Sequence, residues 1–204
     1  MRFWKPSLIA GEPLVSLVVA AYTVGDERQR DALSCLLFAL KAQSYANWEA
    51  IIVHDGPDSG MTDRIAALAD SRIRFEETPV RRGHYGHPWR SYGISKSRGR
   101  YVGVSNGDNY YAPSYFHMML EALVGSQADF AYCDMVHSHT RWNYFSTYPA
   151  VSAIDVGAWL ADGDMVRATP WSDMGFAGDG VFIEALAAVA KKTVKVESCL
   201  FVHN

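Results

Sequence analysis

The run Leu14–Ala21 (LVSLVVAA) is apolar at nearly every position and rich in β-branched residues. A strand with one wet face alternates apolar and polar side chains, so a run without alternation is read as a strand buried on both faces. Such a strand needs helices on either side of its sheet, and the chain supplies them. Charged Asp26–Asp31 opens into Ala32–Ala42, where Leu33, Leu36, Leu37 and Leu40 form one stripe at helical spacing. Trp48–Val53 then reads as a strand, Thr62 as the cap of a helix through Asp70, and Ile73–Glu76 as a short strand. Residues 79–93 read as a loop of Gly, His, Pro and aromatics, with a helix over Gly93–Lys96 ended by Gly99. Tyr101–Val104 is the next strand, Ser114–Val124 a helix opened by Pro113, and Ala128–Cys133 a strand. Residues 134–175 carry no clear period. Asp179–Lys192 is an amphipathic helix and Thr193–Val202 a closing strand. Strands alternating with helices predict an α/β fold with a mostly parallel central sheet flanked by helices.

Bulk properties narrow the class. Hydrophobic residues make up 49% of the 204 and charged ones 20%, a globular composition that suits one domain. A net charge of −3 gives no electrostatic case for nucleic acid as a partner. Cys35, Cys133 and Cys199 are odd in number and lack CxxC spacing, and are expected to be buried thiols in a reducing compartment. Arg2 and Lys5 are followed by Pro6, Gly11, Glu12 and Pro13, which is not a signal peptide. No apolar run is long enough for a transmembrane segment. The expectation is a cytoplasmic protein, with peripheral association with a membrane left open.

Two segments carry the chemistry. In Glu49–Ser59 and Arg100–Pro113 a strand-like run stops in turn residues and delivers one acid, Asp55 or Asp108. The carboxyl ends of strands form the ligand crevice of open α/β sheets. Two acids at two such ends suggest a site for a nucleotide and a divalent metal.

Four stretches, in order, resemble the family 2 inverting glycosyltransferases of the GT-A fold. They are Val15–Tyr22 (VSLVVAAY), Gln43–Gly56 (QSYANWEAIIVHDG), Arg90–Ile94 (RSYGI) with Gly99-Arg100-Tyr101, and Asn106–Pro113 (NGDNYYAP). The resemblance spans roughly residues 14–204. It implies a single GT-A-type, Rossmann-like domain over 1–204. Residues 1–13 would be an N-terminal extension, 14–113 a nucleotide-sugar-binding half and 114–204 an acceptor-binding half.

It also implies roles. Ala21, Tyr22, Asp55, Arg90, Asn106 and Gly107 would contact the nucleotide sugar, with Asp55 accepting from the base and Arg90 neutralising diphosphate oxygens. Asp108 and His203 would hold Mn²⁺ or Mg²⁺, imidazole favouring Mn²⁺. Asp179, in Gly175–Phe182 (GFAGDGVF), would be the general base, with helix capping as its ordinary alternative. The donor would be a nucleotide-diphospho sugar, most simply a UDP-sugar. The acceptor would be a glycan, a lipid-linked glycan or a small hydroxyl compound, and the aromatics of 141–176 would divide between core and acceptor pocket.

The chain also departs from the pattern. His54 stands where a first acid is usual, Asn106 and Asn109 replace acids, and Gly178 replaces the Glu of an "ED" pair. His84–Trp89 is longer and more aromatic than expected. A second reading is therefore a catalytically impaired nucleotide-sugar-binding module that serves a partner enzyme. A nucleotidyltransferase ranks last, because Ala20–Asp26 lacks a glycine-rich, cationic phosphate loop.

Overall fold

The structure is a computed structural model and describes residues 11–204, so most of the 1–13 extension, with Arg2 and Lys5, lies outside the described residues. In chain order the elements are β1 (Val15–Ala21), α1 (Glu27–Lys41), β2 (Trp48–His54), α2 (Ser59–Leu68), β3 (Ile73–Glu77), α3 (His87–Lys96), β4 (Tyr101–Asn106), β5 (Tyr110–Tyr111), α4 (Tyr115–Ser126), β6 (Phe130–His137), β7 (Asn143–Phe145), β8 (Trp159–Asp162), α5 (Gly163–Ala168), α6 (Gly178–Val189) and β9 (Thr193–His203). They form a nine-stranded sheet in the order β3-β2-β1-β4-β8-β6-β9-β5, with β7 added on β6.

β1, the most apolar run in the sequence, lies between β2 and β4, parallel to both and buried at every residue. The α1 stripe of Leu33, Leu36, Leu37 and Leu40 is fully buried, each side chain contributing roughly 1.5–3 kcal/mol. One hydrophobic core runs from Val15 to Phe201. The sheet is parallel across β3-β2-β1-β4 and mixed beyond, because β8 runs antiparallel to both β4 and β6. That pairing needs no helical crossover, and the irregular-looking stretch 134–175 holds the end of β6, β7, β8 and α5. No helix among the described residues is long and apolar enough to cross a membrane.

Several sequence expectations need correction. Helix α3 starts at His87, not Gly93, because Pro88 sits in its first turn, where its missing N–H costs nothing. The α2 cap is Asp58, whose carboxylate accepts from Met61 N, and not Thr62. Cys133 alone of the three free thiols is buried; Cys35 and Cys199 are exposed. Of the aromatics in 141–176, Trp159 and Trp171 are core, whereas Trp142, Tyr144, Tyr148 and Phe176 are exposed.

Strands β6 and β9 set up the far side of the site. They pair in parallel, but eleven residues of β9 answer eight of β6. The register shifts between Cys133 and Met135, after which His137 lies opposite His203.

Candidate active site

The carboxyl ends of β1, β2, β4 and β6 open on one cleft of about 940 Å³. Ala21, Tyr22, Asp55, Arg90, Asn106, Gly107, Asp108, Asp179 and His203 all line it. Residues from both halves of the sequence thus meet on one surface.

Asp55 caps the end of β2 and is 5% exposed. Its two oxygens accept the backbone N–H groups of Arg82 (2.7 Å) and Gly83 (2.8 Å). The carboxylate therefore anchors the 81–86 loop, and each oxygen keeps a second lone pair. Beyond it, Gly83, His84, Tyr85 and Gly86 all have positive φ, from 51° to 79°. Left-handed backbone is costly for His84 and Tyr85, so this turn persists only because both ends are held. Asp55 holds the first end, and Arg90 Nη1, donating to Tyr85 O at 2.7 Å, holds the second. Above the loop, the Arg81 guanidinium stacks 3.8 Å over the Tyr22 ring. Arg82 turns away, toward Trp89.

His54 stays out of the cleft. It is fully buried, its Nε2 accepts from Thr23 N at 2.9 Å and its Nδ1 bonds Gly56 O. It is a structural imidazole that ties the ends of β1 and β2. Asn109 is likewise fully buried, and its Oδ1 accepts from Asn204 N at 3.4 Å. Asn106, on the cleft, accepts from Arg90 Nη2 through its Oδ1.

Arg90 is the buried cation of the site, 5% exposed. Burial draws its guanidinium down to about 10, opposed by Asp179, Asp155 and Asp108. Burial also pushes the Asp108 carboxyl up. Asp155, one of the residues that sequence reasoning missed, is pushed up to about 7 by burial, against a hydrogen bond from Gly157 N and with Asp179 adding to the rise. Asp108, Asp155 and Asp179 all face the one buried arginine.

Sequence reasoning paired His203 with Asp108. The structure gathers His203 with His137 and Asp155, their ligand-type atoms all within 4.8 Å of one another. The His137 and His203 rings stack, and His203 Nε2 is 3.5 Å from Asp155 Oδ2. Burial, followed by His137 and His139, lowers His203 to about 4, which keeps its nitrogen lone pair free at neutral pH. Two imidazoles and a carboxylate suit a borderline divalent cation such as Mn²⁺ better than Mg²⁺, so the donor set fits the expected metal. The available signal was the His-Ser-His triplet at 137–139, where a strand ends.

Asp179 lies in the first turn of α6, which begins at Gly178. It is not the cap: Ala177 occupies that position without a side-chain bond, and Asp179 Oδ1 accepts from Gly180 N at 2.8 Å. Its other oxygen has no hydrogen-bond partner among the described residues. Tyr85 and Phe176, both exposed, meet edge to face at 5.8 Å beside it.

Comparisons with known proteins bear on the fold and the family. The succinoglycan biosynthesis protein ExoO of Rhizobium meliloti is 31% identical over 127 residues, 62% of this chain and 34% of that protein. The chain spans less than half the length of each curated relative it matches. Among solved structures, S. aureus TarS in complex with UDP-GlcNAc superposes with a TM-score of 0.76 at 13% identity, covering 92% of this chain and 57% of that one. The mannosyltransferase PcManGT of Pyrobaculum calidifontis, in complex with GDP-Man and Mn²⁺, gives 0.69 at 12%, covering 94% and 56%. At such identities the structural likeness establishes the fold, a GT-A α/β architecture. Residues 16–163, well over half of the chain, match the Glycosyl transferase family 2 profile, and the chain belongs to that family.

Proposed function

We propose that this protein transfers a hexosyl or N-acetylhexosaminyl group from a nucleotide-diphospho sugar, a UDP-sugar first among them, to an acceptor hydroxyl with inversion. The observation that carries the proposal is Asp179: a carboxylate oxygen at the start of α6 with no hydrogen-bond partner among the described residues, on the same cleft as Asp55, Arg90 and Asp108. Asp179 takes the proton of the acceptor hydroxyl as that oxygen attacks the anomeric carbon. The bond to the diphosphate breaks on the opposite face, and its electron pair leaves with the nucleoside diphosphate. One base suffices, and no covalent intermediate is formed.

Residues 14–113 serve the donor. Asp55 accepts from the imide N–H of the base through its remaining lone pairs, and Arg90 faces the diphosphate. Asn106 and Gly107 line the ribose side, and Ala21 and Tyr22 the end of β1. Residues 114–204 serve the acceptor, a glycan, lipid-linked or small hydroxyl compound, with Phe176, joined by Tyr85 from the donor half, as a face for a sugar ring. His203, with His137 and Asp155 and with Asp108 facing them, would hold Mn²⁺ or Mg²⁺. Such an ion, when bound, offsets the charge of the departing diphosphate. The UDP-GlcNAc complex of TarS and the Mn²⁺ complex of PcManGT support the choice of donor and ion by analogy. The role of ExoO in succinoglycan biosynthesis supports polysaccharide assembly from the cytoplasmic donor pool in the same way.

Calorimetry of UDP, GDP and TDP with and without Mn²⁺, on the protein and on Asp108→Ala, tests the donor reading. UDP binding that strengthens with Mn²⁺ is expected, and metal-independent binding unchanged in the variant would overturn the metal assignment. One observation favours a second reading. Gly178 has no room for a side chain, so the missing motif acid cannot be replaced in place. A protein that binds UDP yet turns over no donor would be a nucleotide-sugar-binding module working with a partner enzyme.

A further inference from the structure

His87 belongs to the odd aromatic stretch, and the functions above do not use it. It is the first residue of α3 and 2% exposed. Arg90 Nη1 lies 2.6 Å from its Nδ1, and its Nε2 lies 2.9 Å from Gly175 O. Arginine only donates, so Nδ1 must accept, and the proton therefore sits on Nε2 and is given to Gly175. One tautomer of a neutral ring satisfies both contacts. Trp171 stacks on its face at 5.0 Å.

The same ring fills the space beside Gly178. A Cβ on Gly178 would fall 2.8 Å from His87 Nε2 and 2.4 Å from Asp173 O. The acid that the resemblance expects at 178 is thus excluded by the imidazole on one side and the folded-back 173–178 loop on the other. Both departures from the motif, the added His87 and the lost acid, meet at one point.

We propose that His87 is a positioning residue that latches the acceptor-side loop 171–178 to Arg90, so that closure of the loop and aim of the guanidinium are set together. Its consequence for activity rests on the donor reading above, whereas the latch itself does not. Through Nδ1 it takes one N–H of Arg90 and leaves Nη2 to Asn106. Through Nε2 it fixes the loop that leads into Asp179. It touches no substrate in this role.

The test combines amide hydrogen exchange of residues 172–178 with UDP calorimetry on the full chain, for His87→Ala, His87→Asn and His87→Gln. Asn carries an acceptor near the Nδ1 position and Gln a donor near the Nε2 position. The Ala variant is expected to raise exchange at 172–178 and to weaken UDP binding roughly tenfold, the scale of one charge-assisted hydrogen bond. The Asn variant should keep UDP affinity within about threefold while the loop still opens, and the Gln variant should keep the loop closed while UDP binding falls. Loss of both readouts in step with melting temperature in all three variants would reduce His87 to a packing residue and overturn the proposal. If the unaltered protein binds no UDP, the donor reading fails. The exchange measurement still decides the latch, and an Ala variant with no faster exchange at 172–178 would overturn it.

Discussion

The imidazole rings of His137 and His203 lie face to face, 4.0 Å between centroids and 3° from parallel. The two residues lie 66 positions apart in sequence and are brought level by the parallel pairing of β6 with β9. Two protonated imidazoles would repel at this distance, and burial lowers the pKa of both. A pair of neutral rings beside the Asp155 carboxyl offers the kind of ligand atoms that a divalent cation takes.

Mn²⁺ added to the nucleotide-free protein should raise its melting temperature more than Mg²⁺ does. His137→Ala and His203→Ala should each weaken Mn²⁺ binding at least roughly tenfold, a loss already common for outer-shell partners of metal sites. Calorimetry of Mn²⁺ alone checks this. Unchanged affinity in both variants would remove the histidines from the site.

Asp179→Asn keeps the shape of the α6 start but cannot accept a proton. Turnover should fall by about 10²–10⁴, the range for loss of a general base, while UDP affinity stays within about twofold. Initial-rate kinetics beside calorimetry separate the two. A variant that turns over normally would transfer the role to another carboxylate.

Asp58, with 1% of its side chain exposed, predicts an acid-sensitive fold. Burial pushes its carboxyl up, but hydrogen bonds from Arg30, Thr23 and Met61 N prevail and hold it at about 2, below the ordinary aspartate value of 3.8. The unfolded chain thus binds the proton more readily, and the contribution of Asp58 is complete above about pH 4 and lost as pH falls toward 2. It amounts to roughly 2 kcal/mol. Denaturant midpoints of Asp58→Asn should fall at pH 7 and vary less between pH 4 and 2 than those of the parent. Parallel pH profiles would contradict this.

Gly178→Ala should cost about 1–3 kcal/mol, because its Cβ meets the Asp173 carbonyl oxygen at 2.4 Å. Gly125→Ala, in α4 with nothing within 4 Å of the added methyl, is the control and should be neutral or stabilising by about 0.5–1 kcal/mol. Thermal melts of the pair read the difference directly.

The strand–helix alternation of residues 14–77 was legible because each element signals its own period, and β1, α1 and β2 lie within a residue or a few of where the sequence sets them. The start of α3 was not. Gly, His and Pro in 83–88 read as a loop, yet Gly86 in left-handed backbone and Pro88 in the first turn are what a sharp helix entry needs. The cleft residues carried by motifs were readable, from Ala21 through Asp179. His137 and Asp155 were not, since their meeting with His203 depends on strand register and on the return of the chain through 147–158. His87 was visible as an oddity, but its contact with Gly178 is a matter of packing that no local pattern encodes.

The uneven pairing of β9 with β6 makes the histidine pair a question of length as well as of identity. Between the partners of Cys133 and Asp134, β9 passes from Val196 to Cys199, so Glu197 and Ser198 are spacers. Removing one spacer would leave every metal-type residue in the sequence but set Asn204, instead of His203, opposite His137 and turn the His203 imidazole toward the other face of the sheet. A single-codon deletion would thus take apart the candidate cation site, and its reinsertion restore it, with no donor residue ever substituted.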